Sequence, residues 1–510
     1  MNLLPALMGR FGYVPKRAAR GMYARGWKAA AQDRLSADWQ TASLSADGEL
    51  RGKLVTLRAR SRDLWMNDDY AAKYIAMVST NVIGSGGVVL QNKAMDIRNG
   101  ADGKPVQTLD EAANRAIEDA WWAWGEKYCE STGTMNFLAL QKLVIETVAR
   151  DGEIFIRKIK GFDNPFRFTL QVLEADFCPA DLEVEQLRGG NRVVMGVELD
   201  KWSRPAAYYF TARNPVEGSP YLYFQDKYLR VPAEEVIHVF LKSRSSQTRG
   251  WPWMATAMSR LKMLGAYEES EVIAARAGAC KMGFFTKAEG EDKYVGDTKD
   301  AEGVKVSEFE PGLLEELPAG LDFKGYDPQH PNSNFGIFTK SVLRGIAAGL
   351  NVSYNALAND LESTSYSSGR IGVLEERDNW RSKQQWIIST FHGPVFEPWL
   401  GMALLTGNVR LPVAKYDKFN QPTWHPRGWA WVDPSKDSAA NIGDINFGLK
   451  TRTETLAEMG KDFTEHLAQL VTEKQAIEAA GLVFSTPGQT VMPDKGQDDG
   501  GKPVGGNDEA

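Results

Sequence analysis

The sequence predicts an α+β protein rich in helix, and three observations carry that prediction. Apolar residues recur near a 3.6-residue period over most of the chain, whereas short β-rich runs crowd into one stretch, 152–240. The length, 510 residues, exceeds one ordinary core and implies about three or four domains. The composition is that of a globular protein, with 43% hydrophobic and 25% charged residues. No window approaches the ~18 consecutive apolar residues of a membrane span. The start, Met1-Asn2-Leu3-Leu4-Pro5, soon runs into Arg10, Lys16, Arg17 and Arg20, unlike a signal peptide. Cys129, Cys178 and Cys280 are too few and too scattered for a disulfide framework or a zinc site. A soluble, cytoplasmic chain is expected.

Residues 1–35 form a basic arm, seven cations against Asp33 alone. It fits a solvated arm as well as a contact with nucleic acid or an acidic partner. From Leu54 to Ile83 the period predicts one helix, ended by Asn81-Val82-Ile83-Gly84-Ser85-Gly86-Gly87. That glycine stretch is a turn and not a phosphate loop, because it follows a helix and no Lys-Ser/Thr pair closes it. Val88-Val89-Leu90 reads as a strand, and helices follow over Leu109–Tyr128 and Phe137–Arg150. Strands are expected at 153–157, 168–172, 193–199, 207–210 and 236–240, with Gly189-Gly190-Asn191 as a hairpin turn. Pro252 precedes a helix over Met254–Cys280, a rod of about 40 Å with Glu268, Glu269 and Glu271 at its middle. A polar segment, 281–334, leads to a helix over Phe335–Leu350. A second polar stretch precedes a helix over Arg370–Phe391, and 433–482 is helical again. Residues 485–510, rich in Gly, Pro and Asp, have the composition of a disordered tail.

Catalytic constellations are missing from the sequence. The five histidines, His238, His330, His392, His425 and His466, never form an HExxH-like pair. No nucleophile elbow, Walker lysine or dinucleotide fingerprint occurs. Glu375 and Glu376 are neighbours whose side chains diverge by about 100° on a helix, so they do not share one site. The tryptophans serve helix packing as well as they would sugar stacking. Net charge is −6, from 60 basic and 66 acidic residues, so a tight nucleic-acid binder is disfavoured while a conduit along which DNA slides is not.

One region is specific. Leu343-Arg344-Gly345-Ile346-Ala347-Ala348-Gly349-Leu350-Asn351-Val352-Ser353-Tyr354 precedes Ser365-Tyr366-Ser367-Ser368-Gly369-Arg370, Leu374-Glu375, Trp380 and Phe391-His392-Gly393-Pro394-Val395-Phe396-Glu397-Pro398-Trp399-Leu400. This resembles the lambda-like family of bacteriophage portal proteins. Further stretches resemble the family in order: Leu57–Leu64 with Arg58 and Arg62, Asn81–Gly84, Asp151-Gly152-Glu153, Arg249-Gly250-Trp251-Pro252, Glu310-Pro311-Gly312, Leu317–Gly320 and Asp327-Pro328. Asn351 and Asn355 depart from it, standing where smaller or more acidic residues are expected.

The resemblance implies a portal fold with an α/β wing (36–253), a stem helix (254–280), a clip (281–334), a second stem helix (335–350), a channel loop and helix returning to the wing (351–432), and a helical crown (433–484). About twelve subunits would close a ring around double-stranded DNA. That ring would sit at the capsid portal vertex, assembled in the host cytoplasm. Its partners would be the terminase large subunit, capsid or scaffold proteins and head-completion proteins, with no membrane, cofactor, metal or enzymatic activity. Other readings are a different ring-forming head-tail joining protein and a metal-dependent DNA-processing enzyme.

Candidate channel residues are Arg370, Arg377, Arg381 and Lys383. The three arginines share one helical edge within about 40°, and Val373, Trp380, Ile387 and Phe391 form an apolar stripe about 60–100° away. The arginines fit a bridge between subunits equally well. Ser363, Thr364, Ser365, Tyr366, Ser367, Ser368 and Gly369 are the candidate tunnel loop, with the His392-Gly393-Pro394 break as the alternative. Glu268, Glu269, Glu271, Arg276 and Lys281 are the candidate inter-subunit residues of the stem.

Overall fold

The computed structural model describes residues 41–99, 105–211, 227–279, 283–287, 298–299, 305–306, 321–325, 334–362, 366–429, 434–459 and 463–481. The basic arm and the 485–510 tail lie outside the described residues. The fold is α+β and rich in helix.

Ser45 caps the short α1 (Ala46–Leu50), and α2 (Leu54–Asn67) follows. The single helix expected over 54–83 is two helices. Asp68 turns extended between them, and its carboxylate accepts from Ala71 N at 2.8 Å, starting α3 (Asp69–Val82). Strand β1 (Val89–Asn92) and the hairpin of β2 (Met95–Asn99) and β3 (Pro105–Leu109) lead into α4 (Glu111–Lys127). Leu109 therefore ends a strand, and Asp110 caps the helix that follows. Helix α5 (Phe137–Asp151) closes on Gly152 in a left-handed conformation.

The β-rich stretch folds as two antiparallel sheets. One has the order β10 (Val236–Phe240), β4 (Glu153–Lys160), β5 (Phe168–Leu173). The other is a meander of β6 (Arg192–Val194), β7 (Val197–Leu199), β8 (Pro205–Thr211) and β9 (Tyr228–Pro232). The run 193–199 is a hairpin rather than one strand. Met195 and Gly196, at φ 47° and 81°, supply the two positive φ values of a type I′ turn. The Gly189-Gly190 turn joins a bridge at Val184 to β6.

Helix α6 (Met258–Ala279) begins later than Pro252 suggested, because residues 253–257 form turns. Met254, Ala257, Leu261 and Leu264 are buried, but no described residue of α6 beyond Gly265 is. Strands β11 (Gly283–Lys287) and β14 (Leu321–Gly325) pair antiparallel, as do β12 (Thr298–Lys299) and β13 (Lys305–Val306). Helix α7 (Phe335–Leu350) is exposed at Ile337 and Phe338 and enters the core at Leu343, Ile346, Ala347 and Leu350. It runs antiparallel to α6: Tyr267 meets Phe338 with ring centroids 5.1 Å apart, and Thr256 Oγ1 donates to Gly349 O at 2.9 Å. Both helices therefore leave the core at the same end. Asn351 ends α7 at φ 56°, a conformation asparagine tolerates.

Short α8 (Tyr354–Ala358) leads towards α9 (Tyr366–Ile387), which passes through a π-helical turn, Ile388–His392, into α10 (Gly393–Leu405). The break expected at His392-Gly393-Pro394 does not exist. Pro394 sits in the first turn of α10, where a missing N–H costs nothing, and His392 is fully buried. Short α11 (Tyr416–Phe419) precedes β15 (Pro422–His425), which pairs with β1. Helices α12 (Pro434–Asn446), α13 (Arg452–Glu458) and α14 (Phe463–Ala479) complete the described chain. No helix among the described residues is long and apolar enough to cross a membrane.

The main core gathers α3, α4, α5, the inner turns of α6 and α7, and the α9–α10 junction. Trp121 packs on Trp399 and Phe137 at 4.9 and 5.0 Å between centroids. Trp124 donates to Phe168 O at 3.1 Å, so these tryptophans are core. A second core joins Leu50 and Leu54 to Phe155 and the β6–β9 meander.

Candidate functional site

Three segments far apart in sequence converge on one carboxylate. Glu153, at the start of β4, is fully buried. It accepts from Arg58 Nη2 on α2, Arg249 Nε and Gly250 N, each at 2.9 Å, and lies 2.9 Å from His238 Nε2 on β10. Arg249 also donates to Met195 O, Ala175 O and Cys178 O, so one guanidinium ties the two sheets together. Beside it, Arg62 forms a two-bond fork on Asp151 at 3.0 and 2.8 Å. Asp176 accepts from Arg58 and Arg62 at 2.7 and 2.6 Å.

Burial alone would push the Glu153 carboxyl up, but Arg249 and the His238 hydrogen bond overcome that and hold it well below the carboxylate range. Asp176 is lowered in the same way by Arg58 and Arg62 against its burial. His238 is pushed down by burial, its bond to Glu153 only opposing the shift. The glycines beside these residues are required by space. A Cβ on Gly152 would lie 2.6 Å from Trp251 N, and one on Gly250 would lie 2.7 Å from Gly152 C. The carboxylate is enclosed by its donors. This is a fastening that holds α2, α5 and both sheets in register, with no face open to a substrate.

The expected basic edge lies on α9. Arg381 is exposed and pairs with Asp378 at 3.0 Å, and both Arg377 and Arg381 approach the ring of Trp429, at 5.9 and 5.8 Å. Arg370 falls within α9, but its side chain lies outside the described residues. Lys383 does not share this edge. Two positions on from Arg381, it points into the subunit over the rings of Trp380 and Trp253, and its Nζ donates to Asn379 Oδ1 at 2.6 Å. Burial lowers it to about 8. Of the apolar stripe, Trp380, Ile387 and Phe391 are buried, whereas Val373 is 38% exposed. Glu375 is exposed; Glu376 is engaged by Trp380 Nε1 and Ser353 N at 3.0 and 3.1 Å, so the two do not share a site.

The tunnel-loop candidates also shift. Ser363, Thr364 and Ser365 lie outside the described residues, and Tyr366, Ser367, Ser368 and Gly369 form the first turn of α9 rather than a loop. Among the stem candidates, Glu268 turns inward and accepts from Tyr70 OH at 3.2 Å. With Asp68, Asp69 and Glu269 it lines a cavity of about 320 Å³ between the α2–α3 corner and α6. Burial raises Glu268 and Asp68. Glu271 hydrogen-bonds Tyr267 on its own helix, Arg276 is exposed, and Lys281 lies outside the described residues. Among the described residues no group of three or more His, Cys, Asp or Glu could hold a metal ion.

The residues the sequence did not single out are Arg427 and Trp429. Their one signal was the motif Asn81–Gly84, on which both rest: Asn81 Oδ1 accepts from Trp429 Nε1 at 3.1 Å and from Arg427 Nη1 at 3.3 Å.

Residues 32–384 match the phage portal protein, lambda family. A probable portal protein of Halomonas phage phiHAP-1 is 35% identical, the match covering 93% of this chain and 92% of that one. Portal protein B of Escherichia phage lambda is 23% identical over 94% of each chain. Chains in solved gene transfer agent assemblies are also similar. One is from the virion of the native particle, with a TM-score of 0.41 and 12% identity over 82% of this chain and 96% of that one. Another is from the neck of the native particle computed with C12 symmetry, with a TM-score of 0.40 and 12% identity over 84% and 99%. The chain belongs to the lambda family of phage portal proteins.

Proposed function

We propose that the chain closes into a ring of about twelve subunits at one capsid vertex, the channel through which double-stranded DNA is packaged and ejected. Beyond family membership, the observation that carries this reading is the α6–α7 pair. It leaves the core with Val272, Ile273, Ile337 and Phe338 each at least half exposed, an apolar surface that a neighbouring copy would cover. In this plan residues 36–253 are the wing, 254–280 and 335–350 the stem, 281–334 the clip, 351–432 the channel segment and 433–484 the crown. The clip docks the terminase large subunit and later the head-completion proteins, and the ring meets capsid or scaffold proteins during assembly in the host cytoplasm. The role is mechanical. A duplex must slide, so many weak phosphate contacts suit it better than a few strong ones.

The basic edge of α9 is the candidate for those contacts. Arg377→Gln and Arg381→Gln remove charge from that edge without opening a core cavity. Rings should form normally, while DNA packaging or retention weakens, more so at higher salt. If the arginines bridge subunits instead, the same variants yield broken rings, and the rings that survive handle DNA normally. That result would overturn the channel assignment.

A further inference from the structure

The end of α7 and the turns that lead into α6 meet one face of α9. Asn351 closes α7, and its carbonyl, past the last intrahelical donor, accepts from Asn379 Nδ2 at 3.0 Å. Ser353 N donates to Glu376 Oε2 at 3.1 Å, and Glu376 Oε1 accepts from Trp380 Nε1 at 3.0 Å. On the α6 side, Trp253 N donates to Ala149 O at 3.0 Å, which ties it to α5. The Trp253 ring meets that of Trp386 at 5.9 Å between centroids and lies 5.5 Å from Lys383 Nζ. Thr256 joins α6 to α7 through its bond to Gly349 O. Glu376, Asn379, Trp380, Lys383 and Trp386 are spaced to line one side of a helix.

Asn379 and Lys383 are the centre of this face. Lys383 Nζ donates to Asn379 Oδ1 at 2.6 Å while it rests on the Trp380 and Trp253 rings. Asn379 therefore uses both ends of its amide: the oxygen takes the ammonium and the nitrogen holds the α7 carbonyl. An aspartate would keep the ammonium but has no donor for Asn351 O, and a leucine would keep only the volume. Apolar contact around Trp380 is non-directional and tolerates sliding, whereas these hydrogen bonds fix register.

We propose that Asn379 and Lys383 form a latch that passes displacements at the inner ends of α6 and α7 to α9. Its use rests on the portal reading above, in which α6 and α7 connect the clip to the channel segment and the basic edge of α9 meets DNA. That edge lies about 160° around the helix from the latch, so a roll imposed at the latch swings Arg377 and Arg381. Both latch members are positioning residues, one step removed from any phosphate.

The latch is tested in full-length assembled protein by hydrogen–deuterium exchange with a wedge between α6 and α7. A Cβ on Gly349 would stand 3.6 Å from Ala257 Cβ and Thr256 Oγ1, so the larger side chain of Gly349→Val pushes the end of α7 off α6. Asn379→Leu with Lys383→Met cuts the latch and keeps its volume. The wedge alone should speed exchange about fivefold, the loss of roughly one hydrogen bond, in peptides spanning 376–387 as well as in 345–353. With the latch cut, the wedge should still act on 345–353, and its effect on 376–387 should disappear. Asn379→Asp, which keeps the ammonium and loses the donor to α7, should uncouple the two in the same way. An equal response of 376–387 with and without the cut would mean that apolar packing carries the displacement, and would overturn the latch. A response confined to 345–353 while the latch is intact would overturn it too. Either result, obtained in rings that stay closed under the electron microscope, leaves the portal reading standing. Transfer through the latch in a protein that forms no ring would sink the portal reading and keep the latch. If Gly349→Val does not fold, Gly349→Ala supplies a smaller wedge for the same two comparisons.

Discussion

Gly152→Ala should destabilise the fold strongly. Gly152 closes α5 at φ +94°, and its position faces the backbone of Trp251 at 2.5–2.6 Å from where a Cβ would stand. A left-handed alanine costs ~1–2 kcal/mol, and overpacking against rigid backbone adds ~1–3 kcal/mol. The overlap cannot be relieved by a side-chain rotation. It requires the 249–252 segment to move away from β4, and that motion pulls Arg249 off Glu153. Against a domain stability of ~5–15 kcal/mol, the sum removes a large fraction. Gly133→Ala is the control, since Gly133 has φ +69° but nothing within 4 Å of a Cβ. Thermal unfolding should show a small shift for Gly133→Ala and a loss several times larger for Gly152→Ala. Equal losses would mean that backbone strain alone, and not the crossing with Trp251, sets the effect.

Glu153→Gln should be nearly as damaging, through charge rather than space. It leaves Arg249, fully buried, and Arg58, 2% exposed, without their shared counter-ion. Breaking a buried pair from one side typically costs ~3–5 kcal/mol. Pairing it with Arg249→Met, which removes the orphaned charge, should recover part of the loss. The same site sets the acid limit of the fold. Glu153 and Asp176 are held below their ordinary values of 4.5 and 3.8, so their contribution is present above those values and lost as pH falls below them. His238 and His392 are pushed down from 6.5 by burial, His392 to about 4. Below pH 6.5 the unfolded chain takes up protons that the folded histidines refuse, and stability begins to fall there. Wild-type protein should lose stability gradually below pH 6.5 and more steeply below 4.5, and Glu153→Gln should flatten the steeper limb. Urea titrations at pH 7, 5.5 and 4 would check this.

What the sequence made legible was the periodic part. The bounds of Phe335–Leu350 and Val236–Phe240 coincide with α7 and β10, because each is a strong apolar pattern ended by turn residues. Periodicity could not see interruptions made by single side chains. Asp68 splits a continuous apolar pattern by capping, and Met195-Gly196 folds a run that looks like one strand. Proline and glycine misled in the opposite direction. His392-Gly393-Pro394 has the composition of a break, yet the π turn and a proline placed in a first helical turn carry the helix through it. For the site, the pattern placed Arg377 and Arg381 on one edge of α9. It could not show that Lys383 turns inward, nor that Arg427 joins them from 46 residues beyond Arg381. Convergence of that kind is tertiary. At the buried carboxylate its trace in the sequence was a set of short motifs, Arg58–Arg62, Asp151–Glu153 and Arg249–Pro252, which meet around Glu153.

The ring itself is tested most directly by electron microscopy of the purified full-length protein, with native mass measurement on the same sample. Closed rings of about twelve copies around an open central channel are expected, because a neighbour on each side would cover the exposed apolar residues of α6 and α7. Substituting Phe338→Glu in that face should shift the population towards single subunits. A protein that remains monomeric or dimeric at micromolar concentration and moderate salt, with folded subunits and no ring in any field, would contradict the account.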